Sequence, residues 1–150
     1  MWCRVFSANE TMPQPASVQQ FLAAKGIDAP LVVTGDDLGW TSIEFGDGQS
    51  QEGLRIDRYL TDEDELRDEL DTWAAWVESM SNDLDAIGLM QSIISTRQLF
   101  TIRANEREES SINELQVQIG QWLAQETNGI CQIDGLGFFS STGSNLLADE

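Results

Sequence analysis

Histidine is absent from the chain, and lysine occurs once, as Lys25. The first absence excludes Ser-His-Asp and Cys-His catalysis, histidine-ligated zinc or haem, and the usual protonation switch near neutral pH. The second leaves little room for Schiff-base chemistry. Cysteine is limited to Cys3 and Cys131. With no Cys-x-x-Cys, thiolate zinc sites, iron–sulfur clusters and dithiol redox work are excluded. Both thiols lie in apolar surroundings, which suits buried free cysteines better than a disulfide framework. No glycine-rich phosphate loop is present, neither a Walker pattern nor a GxGxxG after a strand. No apolar run approaches the roughly 20 residues of a membrane span. The opening MWCRVFSANE lacks the basic start and apolar core of a signal peptide. A soluble, cytoplasmic protein is the expectation.

Positive charge is also scarce. Eight Lys and Arg face 26 Asp and Glu, a formal charge of −18. Direct binding to nucleic acid or to an anionic membrane is disfavoured, because both need a basic footprint to release counterions. Such acidity serves solubility. A sharper reading is a basic partner, or mimicry of DNA phosphates, although the acids are not spread evenly enough to resemble two phosphate rows.

What is present suits one domain with a real core: 150 residues, 41% hydrophobic, with five Trp and six Phe. WCRVFS (2–7) reads as a strand. A helix follows from Ser17 to a left-handed cap at Gly26. LVVT (31–34), residues 40–45 and LRIDRYL (54–60) read as strands, the last two with strict alternation. That alternation sets Thr41, Ile43 and Phe45 on one face, and Trp40, Ser42 and Glu44 on the other. The loop GDGQSQEG lacks the alternating ligands of a calcium site.

Thr61 opens a helix whose first turn, Asp62 to Glu65, complements the helix dipole. Leu66, Leu70, Trp73, Val77 and Met80 form its apolar stripe, widened by Trp76. A second helix starts at Asn82 or Asp83, with Leu84, Ile87, Met90 and Ile94 as its expected buried line. The short connection predicts an antiparallel hairpin. Then come a strand (99–104), a charged loop, a helix (111–127), and strands over ICQI, LGFF and NLLA. Asp134-Gly135 reads as a type I′ hairpin turn.

Two blocks thus share the order β-α-β-β-β. Each passes from Ala-Asn-Glu (8–10, 104–106) through aromatic-Leu-Ala (21–23, 122–124) and Gly-Ile (26–27, 129–130). Each ends at an Asp-x-Leu-Gly-aromatic stretch, Asp36 to Trp40 and Asp134 to Phe138. Duplication, convergent reuse of one pattern, and accident all produce such an order. The expected fold is α+β, a single domain 1–150, with blocks 1–60 and 98–150 around a central antiparallel helical hairpin, 61–97. The alternative is one mixed sheet with helices on one face.

The tail ETNGICQIDGLGFFSSTGSNLL and the middle DTWAAWVESM with RQLFTIRA resemble a bacterial family, cyanobacterial in character, of unknown function. That resemblance implies neither an activity nor site residues.

The poverty of nucleophiles and bases points to a non-enzymatic protein-binding or regulatory role. No catalytic residue and no cofactor is assigned. Trp40, flanked by Asp36 and Asp37, and Trp76 are the candidate partner anchors, because tryptophan is enriched in binding hot spots. The partner is another protein or a second copy, docked through the hairpin. One alternative is a small carboxylate-metal hydrolase, should Asp36, Asp37 and Asp134 converge on a divalent cation. Another is a small-ligand sensor with a cleft between the halves.

Overall fold

The computed structural model describes residues 2–46, 53–60, 64–80, 84–104 and 110–148. The expected cap at Thr61, the start at Asn82 or Asp83, the loop from Asp47 and the second Ala-Asn-Glu beyond Ala104 lie outside them. The described residues form an α+β fold with four helices and an eight-stranded antiparallel sheet. In chain order these are β1 (Trp2–Ser7), α1 (Pro15–Ala24), β2 (Val32–Asp36), β3 (Gly39–Gly46), β4 (Gly53–Leu60), α2 (Asp64–Met80), α3 (Leu84–Ile94), β5 (Gln98–Ala104), α4 (Ser110–Thr127), β6 (Gly129–Ile133), β7 (Gly137–Phe139) and β8 (Asn145–Ala148). The strands lie in the order β2-β3-β4-β5-β1-β6-β7-β8.

The sheet is covered on both faces, because its central strands are apolar on both. Cys3 and Val5 of β1, Phe100 and Ile102 of β5, and Cys131 and Ile133 of β6 pack with Val18 and Leu22 of α1 and with Leu115, Ile119 and Leu123 of α4. The alternate residues Phe6, Leu99 and Phe138 pack with Leu66, Leu70 and Val77 of α2 and with Leu89 and Ile93 of α3. Period-two alternation thus sends β1 and β5 into two different cores. Helices on one face only, the alternative fold, do not describe it. The two thiols lie in the first core. Burial raises both pKa values, that of Cys131 to about 12, so they stay protonated.

Gly26 closes α1 where expected, at φ +80°, whereas the helix starts two residues before its expected Ser17, with Pro15 in its first turn. Ile27 N–H donates to the Leu22 carbonyl and Gly26 N–H to that of Ala23, the paired bonds of a Schellman cap. The two Asp-x-Leu-Gly-aromatic stretches are both hairpin turns. In each, a glycine of positive φ (Gly39 at 116°, Gly137 at 121°) precedes a buried aromatic. The turn at Asp134 differs from the expected type I′ pair. Leu136 N–H bonds to the Ile133 carbonyl, and Ile133 pairs with Gly137, so three residues turn the chain.

Three expectations are corrected. Trp40 does not lie opposite Ile43 and Phe45; all three share one core. Thr34 pairs with Ser42 but Gly35 with Trp40, so Thr41 is an extra residue in β3. Such a bulge reverses the facing of everything before it. In α2 the buried line runs through Ala74, leaving Trp73 and Trp76 half-buried on its flank. In α3 the buried residues are Ala86, Leu89 and Ile93, while Leu84, Ile87 and Ile94 face outward. Apolar residues occur almost all round this helix, so periodicity alone offers two stripes and cannot choose between them.

The shared order of the two blocks is not a shared placement. The first meander approaches the centre with its last strand, β4 beside β5. The second leaves the centre with its first, β6 beside β1.

Candidate functional site

Phe6, Leu99 and Phe138 pack with α2, and further along the same rows stand Arg4 of β1, Thr101 and Arg103 of β5 and Gln132 of β6. At this boundary Thr72, Trp73 and Trp76 of α2 face Gln132 of β6 and Asp134 of the following turn around a hollow of about 260 Å³. Positions 72, 73 and 76 meet there because residues three and four apart share one side of a helix.

Arg4 of β1 organises the polar wall. Its Nη1 donates to Gln132 Oε1 at 2.8 Å and to Asp134 Oδ1 at 3.0 Å. Gln132 Nε2 donates to the same Asp134 oxygen at 3.1 Å, and the Trp2 backbone N–H to the other at 3.1 Å. Strand register makes this possible, since Arg4 is opposite Gln132 in the β1–β6 ladder. Partial burial pushes the Asp134 pKa up, but the bonds from Gln132, the Trp2 N–H and Arg4 outweigh it and hold the carboxyl below the usual aspartate range. It is a carboxylate at neutral pH and a poor proton donor there.

The same guanidinium starts an aromatic wall. Its carbon lies 4.8 Å from the Trp73 ring centre and 5.5 Å from that of Trp2, and Arg103 lies 5.4 Å from Trp2 on its own account. Trp76 meets Trp73 edge to face at 5.8 Å and 76°. Behind both, Phe138 touches Trp73 and Trp76 at 5.9 Å each, which fixes the two indoles from below.

The sequence-derived candidates are distributed as follows. Trp76 and Asp134, singled out for different reasons, line one hollow. Trp40 is 4% exposed, and its indole N–H donates to the Pro13 carbonyl at 2.7 Å. Asp36 and Asp37 sit at the β2–β3 turn, where Asp36 Oδ1 accepts from the Leu38 N–H at 2.8 Å. Strands β4, β5 and β1 separate β3 from β6, so these acids are not brought to Asp134. Among the described residues no three metal-ligating side chains form a group. No helix among them is long and apolar enough to cross a membrane. Sequence reasoning missed Arg4, Gln132 and Thr72. Alternation in WCRVFS places Trp2 and Arg4 on the face opposite Cys3 and Val5, but nothing local names their partners.

The ion pair has a testable signature. A carboxyl whose folded pKa is depressed stabilises the protein above its unfolded pKa of about 3.9, and loses that contribution as pH falls through the folded value. Thermal unfolding of wild type and Asp134→Asn from neutral pH to strong acid should therefore show a melting gap that closes on the acid side. A gap that stays constant would remove the ion pair as its source.

No protein-family model matches the chain, no curated protein does, and no solved structure does.

Proposed function

We propose that the chain is a non-enzymatic binding or regulatory protein that receives a side chain of a protein partner between Trp73, Trp76 and Asp134. The observation that carries this reading is the hollow itself: two half-exposed indoles at right angles beside a fixed carboxylate. Its volume of about 260 Å³ lies below the roughly 300–1,000 Å³ of pockets that engulf small ligands. At this hollow that size favours one side chain of a larger partner over a free metabolite. Rigid aromatic anchors in a partly desolvated hollow are the usual centres of binding energy. Asp134 is held ionised by its partners, which suits recognition better than proton transfer.

Two finer readings of the fold accompany this. We take α2 and α3 as the antiparallel hairpin expected from the sequence, because Arg67 near the start of α2 donates to the Ile94 carbonyl at the end of α3, at 2.9 Å. We take the common β-α-β-β-β order as reuse of one pattern rather than duplication, because the first meander reaches the sheet centre with its last strand and the second with its first.

Affinity capture from the source cell, with wild type and Trp76→Ala as baits, tests the functional reading. The expected result is a partner held by the first and depleted about tenfold or more from the second, as for a hot-spot indole. Equal recovery of every partner by both baits would remove the hollow as the anchor. Calorimetric titration with Mg²⁺, Mn²⁺ and Ca²⁺ addresses the metal-hydrolase alternative. Binding heat abolished by Asp36→Asn would favour that enzyme over the binder.

A further inference from the structure

A hollow of about 430 Å³ opens between the two blocks of the chain, on the sheet face away from Trp76. Phe21 and Lys25 from α1 form one side, α4 the second, and the turn from β7 to β8 the third. Phe21 and Trp122, both half-buried, stack at 5.0 Å and 20° and join the two helices. Gln118, Gln121 and Gln125 recur along α4 at spacings of three and four, so they share one side of it. Glu and Gln have nearly equal helix propensity, so the helix itself does not ask for amides there. Carboxamides at all three positions keep this wall uncharged in a chain with 26 acids. No described residue lining the hollow is acidic. Glu114 stands one turn back and meets the row through Gln118, whose Nε2 donates to its Oε1 at 3.5 Å. The Gln121 and Gln125 amides have no hydrogen-bond partner among the described residues. The Lys25 ammonium, 5.5 Å from the Phe21 ring, has neither a hydrogen-bond nor an ion-pair partner among them. The third side is ordered in advance: Ser140 Oγ accepts the Thr142 N–H at 3.3 Å and the Ser144 N–H at 3.1 Å.

We propose that this hollow binds one small hydroxylated anion, of the class of sugar acids and sugar phosphates. Its volume falls within the roughly 300–1,000 Å³ of pockets that engulf small ligands, unlike the hollow at Trp76. The charge of the ligand follows from Lys25, the one lysine of the chain, unpaired beside a wall without acids. An ammonium is a compact point charge, so it serves carboxylate and phosphate alike. The hydroxyls of the ligand follow from the carboxamides. Each carboxamide both donates and accepts, as a hydroxyl does. An apolar ligand would instead leave these groups without partners, at a cost. The exposed part of Trp122 supplies an apolar wall for the C–H face of a sugar ring. This site goes beyond the protein-binding reading and does not rest on it.

Amide and indole NMR of the isotope-labelled full chain tests this, with glucuronate, glucose-6-phosphate, glucose and inorganic phosphate as probes. The chain's own charge of −18 repels anions, so the titrations run at about 0.15 M salt, where such fields fade beyond about 8 Å. The expected result is a saturable shift of the Trp122 indole N–H and the Gln121 and Gln125 carboxamides with one or both anionic sugars, at a dissociation constant of about 1 mM or below. The tighter of the two tells a carboxylate ligand from a phosphate one. Glucose and inorganic phosphate each carry half of the recognised chemistry and should bind about tenfold more weakly or worse. Lys25→Gln, at an exposed position, should weaken the anionic sugars about tenfold and leave glucose unchanged. Gln121→Glu keeps the helix and should weaken them in the same way, by placing an acid on the wall. The proposal is overturned if neither anionic sugar moves these signals, if glucose binds as tightly as they do, or if Lys25→Gln binds them like wild type. Shifts confined to the Gln91 amide overturn it too, since Gln91 lines an uncharged hollow of about 470 Å³ that meets the same turn at Ser141.

Discussion

Trp40→Ala is expected to lower the unfolding free energy by about 3–5 kcal/mol, the range for truncating a large core aromatic. The ring is all but inaccessible and packs in one cluster with Ile43 and Phe45. It lies 5.7 Å from the Phe100 ring, and the Arg58 guanidinium stands 6.0 Å above it. Truncation also strands its neighbours. The Pro13 carbonyl loses its indole donor. Arg58, whose Nη1 bonds to the Trp40 carbonyl at 3.1 Å and whose Nε bonds to Gln98 at 2.9 Å, is left beside a void. Small domains hold about 5–15 kcal/mol in all, so this loss is a large share of the total. Trp40→Phe separates the contributions: it keeps most of the apolar volume and forfeits the hydrogen bond, worth about 1 kcal/mol. Urea unfolding is the measurement, with the midpoint falling and the slope unchanged. A midpoint that does not move in Trp40→Ala would mean the indole serves a surface role after all.

Trp40 also illustrates what a sequence can and cannot say about this fold. The strands, helices and turns are local matters. The Gly26 cap and the glycines before Trp40 and Phe138 act through their own backbone angles, and they mark the chain where expected. The facing of Trp40 depends on one extra residue at Thr41, and a bulge leaves no trace in an alternating pattern. The choice of face in α3 depends on what lies across from it. Leu84, Ile87 and Ile94 are larger than Ala86, and by composition alone they look like the buried side. The structure buries the line through Ala86 instead.

The candidate site was legible in pieces and not as a site. Trp76 could be suspected because it falls off the stripe of α2, and Asp134 because it opens a turn. Their meeting depends on β6 lying beside β1 rather than beside β5, its predecessor in sequence. Such an arrangement is fixed by which strands complete each other's apolar faces, a long-range condition. Arg4 shows the same limit. In sequence it is one cation in a strand; in the ladder it is the group that ties Gln132 and Asp134 together and leans on Trp73.

Phe138→Ala should produce the other large loss, again about 3–5 kcal/mol, with a consequence at the site that Trp40→Ala lacks. Phe138 is fully buried and touches Phe6 at 6.4 Å as well as Trp73 and Trp76 at 5.9 Å each. Its removal opens a cavity directly beneath the two indoles. Trp73 cannot sink to fill it without leaving its place: it is held by the Arg4 guanidinium and by Phe6, 6.1 Å away edge to face. The void therefore persists, which is the condition for the upper end of the range. Residues that share a cavity do not contribute independently, so Phe138→Ala and Trp76→Ala should combine with a coupling of about 0.5–3 kcal/mol in a double-mutant cycle. Phe138→Ala and Trp40→Ala, which lie in different cores, should add. Additivity in the first pair would mean that the indoles stand without support from the core. The hollow would then be a chance gap in the surface and not a shape that the fold maintains.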